Sequence, residues 1–234
     1  MKPHRLLILI AATTVSACQT YIPNLAVDPS FTYQAMIQAE MVIGGVSSNL
    51  ETFGTTQSDR YGGEVKMAIQ NERPELVVND ASSLRNKMGA SAYKAMMEQW
   101  TDGLSVSKQS FAAIKKAMPN AQYASFSRIE ETHTRVSDTQ TPYYEKKHNK
   151  KIQTGVSHTL AAKREMKVTY IVYELTSGAQ IWNGVVPITK TETNYHLHKF
   201  GSGAYTLRYP EFPTVQETFA TASRGFAENL PERE

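Results

Sequence analysis

The stretch REMKVTYIVYELTSGAQIWNGVV, residues 164–186, decides the fold. Apolar and more polar side chains alternate between Met166 and Val172, which is typical of a β-strand with one strongly apolar face. The sequence TSGA at 176–179 predicts a tight turn, and residues 180–188 predict the returning strand. The stretch therefore predicts an antiparallel strand pair joined by a short hairpin turn.

The elements on either side of this hairpin predict helices packed on a sheet. Apolar runs at Met41–Val46 and Leu76–Val78 predict short buried strands, and residues 123–136 predict a longer one. Helical periodicity and end signals mark four helices. The first is 58–71, with Val65, Ala68 and Ile69 inward, and the second is capped by Ser91, with Tyr93, Met96, Met97 and Trp100 on one face. The third runs from Ser107 to Pro119, with Phe111, Ile114 and Met118 on one side. The fourth begins at the capping box Thr214–Glu217, with Val215, Phe219, Ala222 and Phe226 inward. The predicted fold is α/β, an α+β sandwich whose mixed sheet ends in a C-terminal antiparallel meander, with helices packed on it.

Composition and charge exclude several classes of protein. Of the 234 residues, 41% are hydrophobic and 20% are charged, which excludes collagen, long disorder and coiled coil as descriptions of the whole chain. The 25 basic and 22 acidic residues give a net charge of +3, so we expect no nucleic-acid partner. The single cysteine, Cys18, excludes an intramolecular disulfide.

The beginning of the chain predicts export. Two basic residues, Lys2 and Arg5, precede the apolar run 6–12, and small residues follow it. The run is far shorter than the roughly 20 residues that a membrane-spanning helix needs. This arrangement is typical of a secretory signal peptide, here residues 1–17.

The tetrapeptide VSAC at 15–18 resembles a bacterial lipobox. The resemblance implies cleavage before Cys18 and lipidation of that cysteine, which would anchor the protein in a membrane. Gln19 stands where an aspartate would indicate retention in the inner membrane, so the predicted location is the outer membrane, on its periplasmic side. Residues 18–35 are then a lipidated N-terminus and tether, and residues 36–234 are a single periplasmic α/β domain.

Four segments occur in an order that resembles a known group of lipoproteins. They are MVIGGV at 41–46, NAQYASFSRIEE at 120–131, the hairpin at 164–186 and FAENLP at 226–231. With the lipobox, they resemble periplasmic lipoproteins related to the curli-secretion lipoprotein CsgG and the penicillin-binding-protein activator LpoB. The resemblance implies an α/β fold without enzymatic activity. A basic run at Lys146–Lys151 would not enter lipid cheaply, which favours an adaptor or activator over a pore.

No motif predicts catalysis or a cofactor. The chain lacks the G-x-S-x-G, H-E-x-x-H and phosphate-loop sequences, and on a strand the adjacent Glu130 and Glu131 would point to opposite faces. We therefore expect a protein that is not an enzyme and needs no cofactor. His196 and His198 would share a face of a strand, and with a third ligand they would suit zinc or copper. Without one, they are solvated or hydrogen-bonded histidines, and no metal site is predicted.

Two segments are candidates for contact with a partner. The run 146–151 is either a site for anionic headgroups or an acidic partner, or a solvated hairpin tip. Residues 194–209 predict a hairpin about Gly201–Gly203, whose apolar, aromatic face either docks a partner or packs on the domain. The candidate contact residues are Tyr195, Leu197, Tyr205, Tyr209, Lys146, Lys147, Lys150 and Lys151.

These observations lead to three hypotheses about function. The first is a lipoprotein of the outer membrane that acts as a non-enzymatic adaptor or activator of another cell-envelope protein or complex. The second is a lipoprotein that binds a small ligand or glycan in a pocket against the mixed sheet. The third is a self-assembling subunit of an envelope secretion complex.

Overall fold

Six strands and six helices make up the fold of residues 20–50 and 53–233, the part of the chain that the computed structural model describes. The strands are β1 (Ala26–Val27), β2 (Glu40–Ser48), β3 (Val77–Asn79), β4 (Ala121–Lys147), β5 (Lys150–Glu174) and β6 (Gln180–Lys199). The helices are α1 (Tyr33–Ile37), α2 (Thr55–Glu72), α3 (Ala81–Met88), α4 (Ala90–Gly103), α5 (Lys108–Ala117) and α6 (Val215–Glu228).

All six strands form one mixed sheet in the order β1-β6-β5-β4-β2-β3. Strand β2 runs parallel to both of its neighbours, whereas β4, β5 and β6 form the antiparallel meander. The fold class predicted from the sequence is confirmed, and so is the hairpin at 164–186, because Val172 pairs with Trp182 across its turn.

Helices cover both faces of the sheet, and each layer encloses its own apolar cluster. Helices α2 and α6 pack on one face, where Ile69 and Phe226 are fully buried. Helices α3, α4 and α5 pack on the other, where Trp100 and Ile114 are fully buried against Phe126 of β4. Burial of this apolar surface is the main force that holds the helices to the sheet.

The predicted helix starts are confirmed in part. Thr214 and Glu217 form the predicted capping box, in which each side chain accepts a hydrogen bond from the other residue's backbone N–H, at 3.1 Å and 2.9 Å. The predicted cap at Ser91 is wrong, because the N-cap of α4 is Gly89, two residues earlier. Helix α3, capped by Asp80, was absent from the sequence prediction because its short apolar pattern gives little periodicity.

The predicted tether needs correction over the described residues 20–35. Strand β1 pairs with β6, and Ile22 and Phe31 are buried in the core. Pro23 and Pro29 suggested an extended linker, but the apolar side chains that flank them gain more by packing on the sheet than by remaining in water. Cys18 and the signal peptide lie outside the described residues.

The meander extends well past the rest of the sheet. Its pairing with β2 ends at Ile129, yet β4, β5 and β6 continue together as a three-stranded ribbon, which we call the arm: residues 131–147, 150–167 and 187–199. Most of residues 137–158, which include the basic run 146–151, are thus part of two continuous strands. At about 3.3 Å per residue, the 17 residues of β4 in the arm span roughly 55 Å.

Stability should fall steeply at alkaline pH because the core contains neutral tyrosines. Burial raises the pKa of Tyr170 well above its usual range, and burial and the nearby Asp59 raise the pKa of Tyr93 to about 12. The unfolded chain loses these protons near pH 10, so each group costs about 1.4 kcal/mol of unfolding free energy per pH unit above that value. Urea unfolding at pH 9, 10 and 11 measures the slope.

A Tyr170→Phe variant should lower that slope by the contribution of one group. At neutral pH it should cost about 1 kcal/mol, because it leaves the Ser223 hydroxyl, now 3.0 Å away, without its partner. An unchanged slope above pH 10 would contradict the assignment.

Candidate docking surface

The two faces of the arm differ because strand side chains alternate. One face carries His158, Leu160 and His196, and it is covered by residues 203–214, which we call the return segment. The other face carries Tyr195 and Leu197, and no described helix lies on it. Successive side chains of each strand therefore point alternately to the face under the return segment, which we call the covered face, and to the other, which we call the open face.

His158 joins the return segment to the covered face. Its ring is 3% exposed, and Nδ1 donates to the carboxylate of Asp138 at 2.9 Å. The Tyr205 hydroxyl lies 3.0 Å from Nε2, on the other side of the ring. The Tyr205 ring stacks on His198 with 3.9 Å between centroids and lies 5.4 Å from His196. These contacts hold a segment without regular secondary structure against the sheet.

The predicted hairpin at 194–209 is wrong in its second half. Strand β6 pairs with β5, and the chain after Gly201 and Gly203, both with positive φ, crosses the face of the sheet instead of continuing along its edge. Tyr205 consequently lies with the histidines, on the opposite face from Tyr195 and Leu197. The sequence missed this arrangement because proline-rich segments such as 203–214 give no period from which a face can be assigned.

His196 and His198 share a face, as the sequence predicted. Their neighbour there is the Tyr205 ring, and the described residues contain no group of three His, Cys, Asp or Glu side chains that could hold a metal ion. Asn194 lies on the same face and donates from Nδ2 to the carbonyl of Arg208 at 3.3 Å, a second contact with the return segment.

The open face combines exposed apolar side chains with hydroxyl groups. Tyr195 is 77% exposed, and Leu197 lies beside it at the next position of the same face. Their register partners on β5 are Thr159 and Ser157. This face also carries the hydroxyl residues Ser137, Thr139, Thr141, Thr189, Thr191 and Thr193. A flat surface with one large aromatic side chain among small polar ones is typical of a protein contact site. Tyr209 lies in the return segment and is half-exposed.

The tip of the arm concentrates positive charge. Strands β4 and β5 meet at His148 and Asn149, both with positive φ, and the register places Lys146 opposite Lys151 and Lys147 opposite Lys150. Like charges directly opposite one another destabilise a strand pair by a few tenths of a kcal/mol. Among the described residues, none of these four lysines makes an ion pair. Both interpretations of the run, an anionic contact and a solvated tip, fit this arrangement.

Both outer edges of the arm lack a neighbouring strand within the described part of the chain. Residues 131–147 of β4 pair only with β5, and residues 184–199 of β6 likewise pair only with β5. Pro142 and Pro187 each remove a backbone donor from one of these edges. A proline on an edge strand discourages the addition of another strand, so the open face is the better candidate for a contact with a partner.

The first described residue is fastened to the end of α6 that lies farthest from the arm. Asn229, just after α6, donates to the carbonyl of Thr20 at 2.9 Å. At the other end of the helix, Arg164 of the arm donates to the carbonyl of Pro213 at 2.6 Å. The 14 residues of α6 span about 21 Å, so the chain entry and the arm lie at opposite ends of the domain. No described helix is both long and apolar enough to cross a membrane.

Replacing Tyr205 by alanine should release the return segment. The variant loses the hydrogen bond to His158 and the stacking on His198, each of which contributes on the order of 1 kcal/mol. We expect limited proteolysis within 203–212 to become at least tenfold faster. Tyr209→Ala is the matched control, since the Tyr209 side chain makes no ring contact or hydrogen bond with the described residues, and equal cleavage of both variants would contradict the role of Tyr205.

Comparison with known proteins gives remote likenesses in structure. No protein-family model matches the sequence, and no curated protein matches it either. A PelC dodecamer subunit from Paraburkholderia phytofirmans is similar at a TM-score of 0.37 and 10% identity, covering 84% of this chain and 91% of that one. The LpoB C-terminal domain from Salmonella enterica is similar at 0.30 and 10% identity, covering 67% and 95%. A hypothetical protein from Chlamydia trachomatis is similar at 0.30 and 11% identity, covering 71% and 76%.

Proposed function

We propose that this protein is a non-enzymatic adaptor or activator of the cell envelope, which contacts another envelope protein through the open face of its arm. The observation that carries the proposal is the exposure of Tyr195 and Leu197 on a long, flat, uncovered face. In a purely structural hairpin these apolar side chains would pack on the domain, as Leu160 does on the other face of the same ribbon.

The arm's charge indicates what kind of partner it meets. Its tip carries the basic run 146–151, and its open face carries Arg135, Lys163 and Glu165 among its hydroxyl groups. A partner with an acidic patch beside a shallow apolar groove would complement both features. In the complex, each lysine of the tip would chiefly raise the rate of association, whereas Tyr195, once the partner buries it, would chiefly slow dissociation.

The proposed lipid anchor and the arm would lie at opposite ends of the domain. If Cys18 is lipidated, only Gln19 separates it from Thr20, which is bonded to the end of the domain, so a gap of about 7 Å joins membrane and domain. The arm then extends from the opposite end, away from the lipid surface. An adaptor at the periplasmic side of the outer membrane would need this polarity to meet a partner deeper in the envelope.

A second candidate function is self-assembly, for which the arm offers two unpaired edges outside the positions of Pro142 and Pro187. A β4 edge of one copy could pair with the β6 edge of the next, which would generate a ring or a fibre. Light scattering of the purified full-length protein in detergent distinguishes the two candidates. A discrete large species that forms without any other protein supports assembly, and a monomer supports the adaptor.

Cross-linked affinity purification from intact envelopes tests the adaptor proposal. The full-length protein should retain one stoichiometric envelope protein, and a Tyr195→Ser, Leu197→Ser double variant should retain at least tenfold less of it at an unchanged melting temperature. The matched control replaces Met67 and Val77, which are equally exposed on α2 and β3, with serine. Equal capture by all three forms, or capture of no envelope protein, would contradict the proposal.

A further inference from the structure

A crevice opens at the carboxyl end of β2, where the direction of the chain's path through the sheet reverses. From β2 the chain passes through α2 to β3 on one side, and then through α3, α4 and α5 to β4 on the other side of β2. The helices that leave this point lie on opposite faces of the sheet and therefore diverge. In open α/β sheets, this divergence creates the usual position of a ligand site.

The crevice has a volume of about 480 Å³, within the range of small-molecule sites. Its lining includes Ser47 at the end of β2, Phe53 and Ser58 at the start of α2, Arg85 of α3, and Tyr93 and Met97 of α4. Gly45 of β2 allows α4 to approach, because a Cβ at that position would lie 2.3 Å from Met97 Sδ and 2.8 Å from Tyr93 Oη.

Buried polar groups in this crevice are left without partners. The hydroxyls of Ser47 and Tyr93 belong to residues that are only 5% and 4% exposed, and neither makes a well-formed hydrogen bond with the described residues. The polar neighbour of the Tyr93 hydroxyl is that of Ser58, which donates to the Val46 carbonyl at 2.6 Å. The carboxylate of Asp59 behind them is in the same situation at Oδ1. A buried hydroxyl without a partner costs about 1–3 kcal/mol, so several at one place indicate a site that is completed by a ligand.

Two basic and three acidic side chains surround the crevice, and this excess of negative charge selects the class of ligand. Arg85 forms an ion pair with Asp59 at 2.7 Å, and Lys94 with Glu98 at 3.8 Å. Asp102 on the lining adds negative charge. No cation is therefore left over for a phosphate or carboxylate, which would leave the crevice with a buried, uncompensated charge.

We propose that the crevice binds a neutral, hydroxyl-rich ligand of the size of a mono- or disaccharide. The Tyr93 phenol is protonated at neutral pH and donates, the Ser47 hydroxyl both donates and accepts, and Nη1 of Arg85, which is buried on the lining and makes no well-formed hydrogen bond with the described residues, donates. Sugar hydroxyls match this mixture, while Phe53 and Met97 offer apolar surface to the C–H face of a sugar ring or to an acetyl methyl group. The site is separate from the open face of the arm, so it stands whether or not the arm contacts a protein.

Titration of the full-length protein with N,N′-diacetylchitobiose, a neutral disaccharide that carries both hydroxyls and acetyl groups, tests the proposal. At ten times the dissociation constant, the sugar should raise the melting temperature by about 3 °C. Ser47→Ala and Tyr93→Phe should each weaken binding at least tenfold by calorimetry. Without sugar, both variants should melt at the wild-type temperature or above it, because each removes a buried group that makes no well-formed hydrogen bond with the described residues.

Ser125→Ala is the matched control. Ser125 is another buried serine without a hydrogen-bond partner among the described residues, but it lies in β4, outside the crevice. This variant should gain stability in the same way and bind the sugar with wild-type affinity. No binding at 10 mM sugar would overturn the proposal. Binding that survives both crevice substitutions would do the same, and so would a lower melting temperature of the sugar-free Tyr93→Phe protein, because the hydroxyl would then serve the fold.

Discussion

A Cys18→Ser protein is expected to leave the membrane fraction completely and to fold normally. Each methylene buried in a bilayer contributes about 0.8 kcal/mol, so several acyl chains on one cysteine hold a protein essentially permanently, and their loss abolishes that attachment. Fractionation of envelopes followed by a high-salt wash measures the effect. The soluble protein should melt at the temperature of the lipidated one, since Cys18 precedes the residues that pack on the domain.

Gln19→Asp provides a control that keeps the lipid. By the sorting behaviour that the lipobox resemblance implies, this variant should remain in the membrane pellet but move to the inner-membrane fraction. A Cys18→Ser protein that stays with the membrane after the wash would contradict the hypothesis that Cys18 carries the lipid anchor.

Phe226→Ala should lower the free energy of unfolding by about 3–5 kcal/mol, a large share of the stability of a domain of this size. The Phe226 ring is fully buried; it stacks on Tyr170 with 4.5 Å between centroids and meets the edge of Trp182 at 4.8 Å. Its removal leaves a cavity between α6 and the sheet. Urea unfolding followed by circular dichroism measures the loss.

Phe212→Ala is the matched control for this prediction, because it removes the same group from the return segment, where the ring is 40% exposed. It should change the unfolding free energy by less than about 1 kcal/mol. A loss below 1 kcal/mol for Phe226→Ala itself would mean that α6 is not held to the sheet by this cluster.

The sequence predicted those parts of the fold that depend on local patterns. The alternation at Met166–Val172 requires a strand with one buried face whatever its neighbours are, and the capping box Thr214–Glu217 is completed by residues three positions apart. The tether was predicted wrongly because the burial of Ile22 depends on β6, some 160 residues later, and no local pattern signals that pairing.

The candidate surfaces divide in the same way. Tyr195 and Leu197 were placed on one face by their spacing, and that spacing holds on β6. The position of Tyr205 depends instead on His158, which is 47 residues away, and on Asp138, farther still. The crevice beside Tyr93 escaped notice because the Tyr93–Met97 stripe looks like simple core packing. Only the structure reveals that the Tyr93 hydroxyl makes no well-formed hydrogen bond with the described residues.

Site-specific photo-crosslinking in living cells tests most sharply whether the open face of the arm contacts another envelope protein. A benzophenone amino acid is placed at position 195 in one strain and at Met67, another exposed apolar site, on α2, in another. If the protein is an adaptor that acts through the open face, we expect one discrete adduct with an envelope protein from position 195 and none from position 67. An adduct from position 67 alone, or adducts of this chain only with itself, would contradict an adaptor that acts through the open face of its arm.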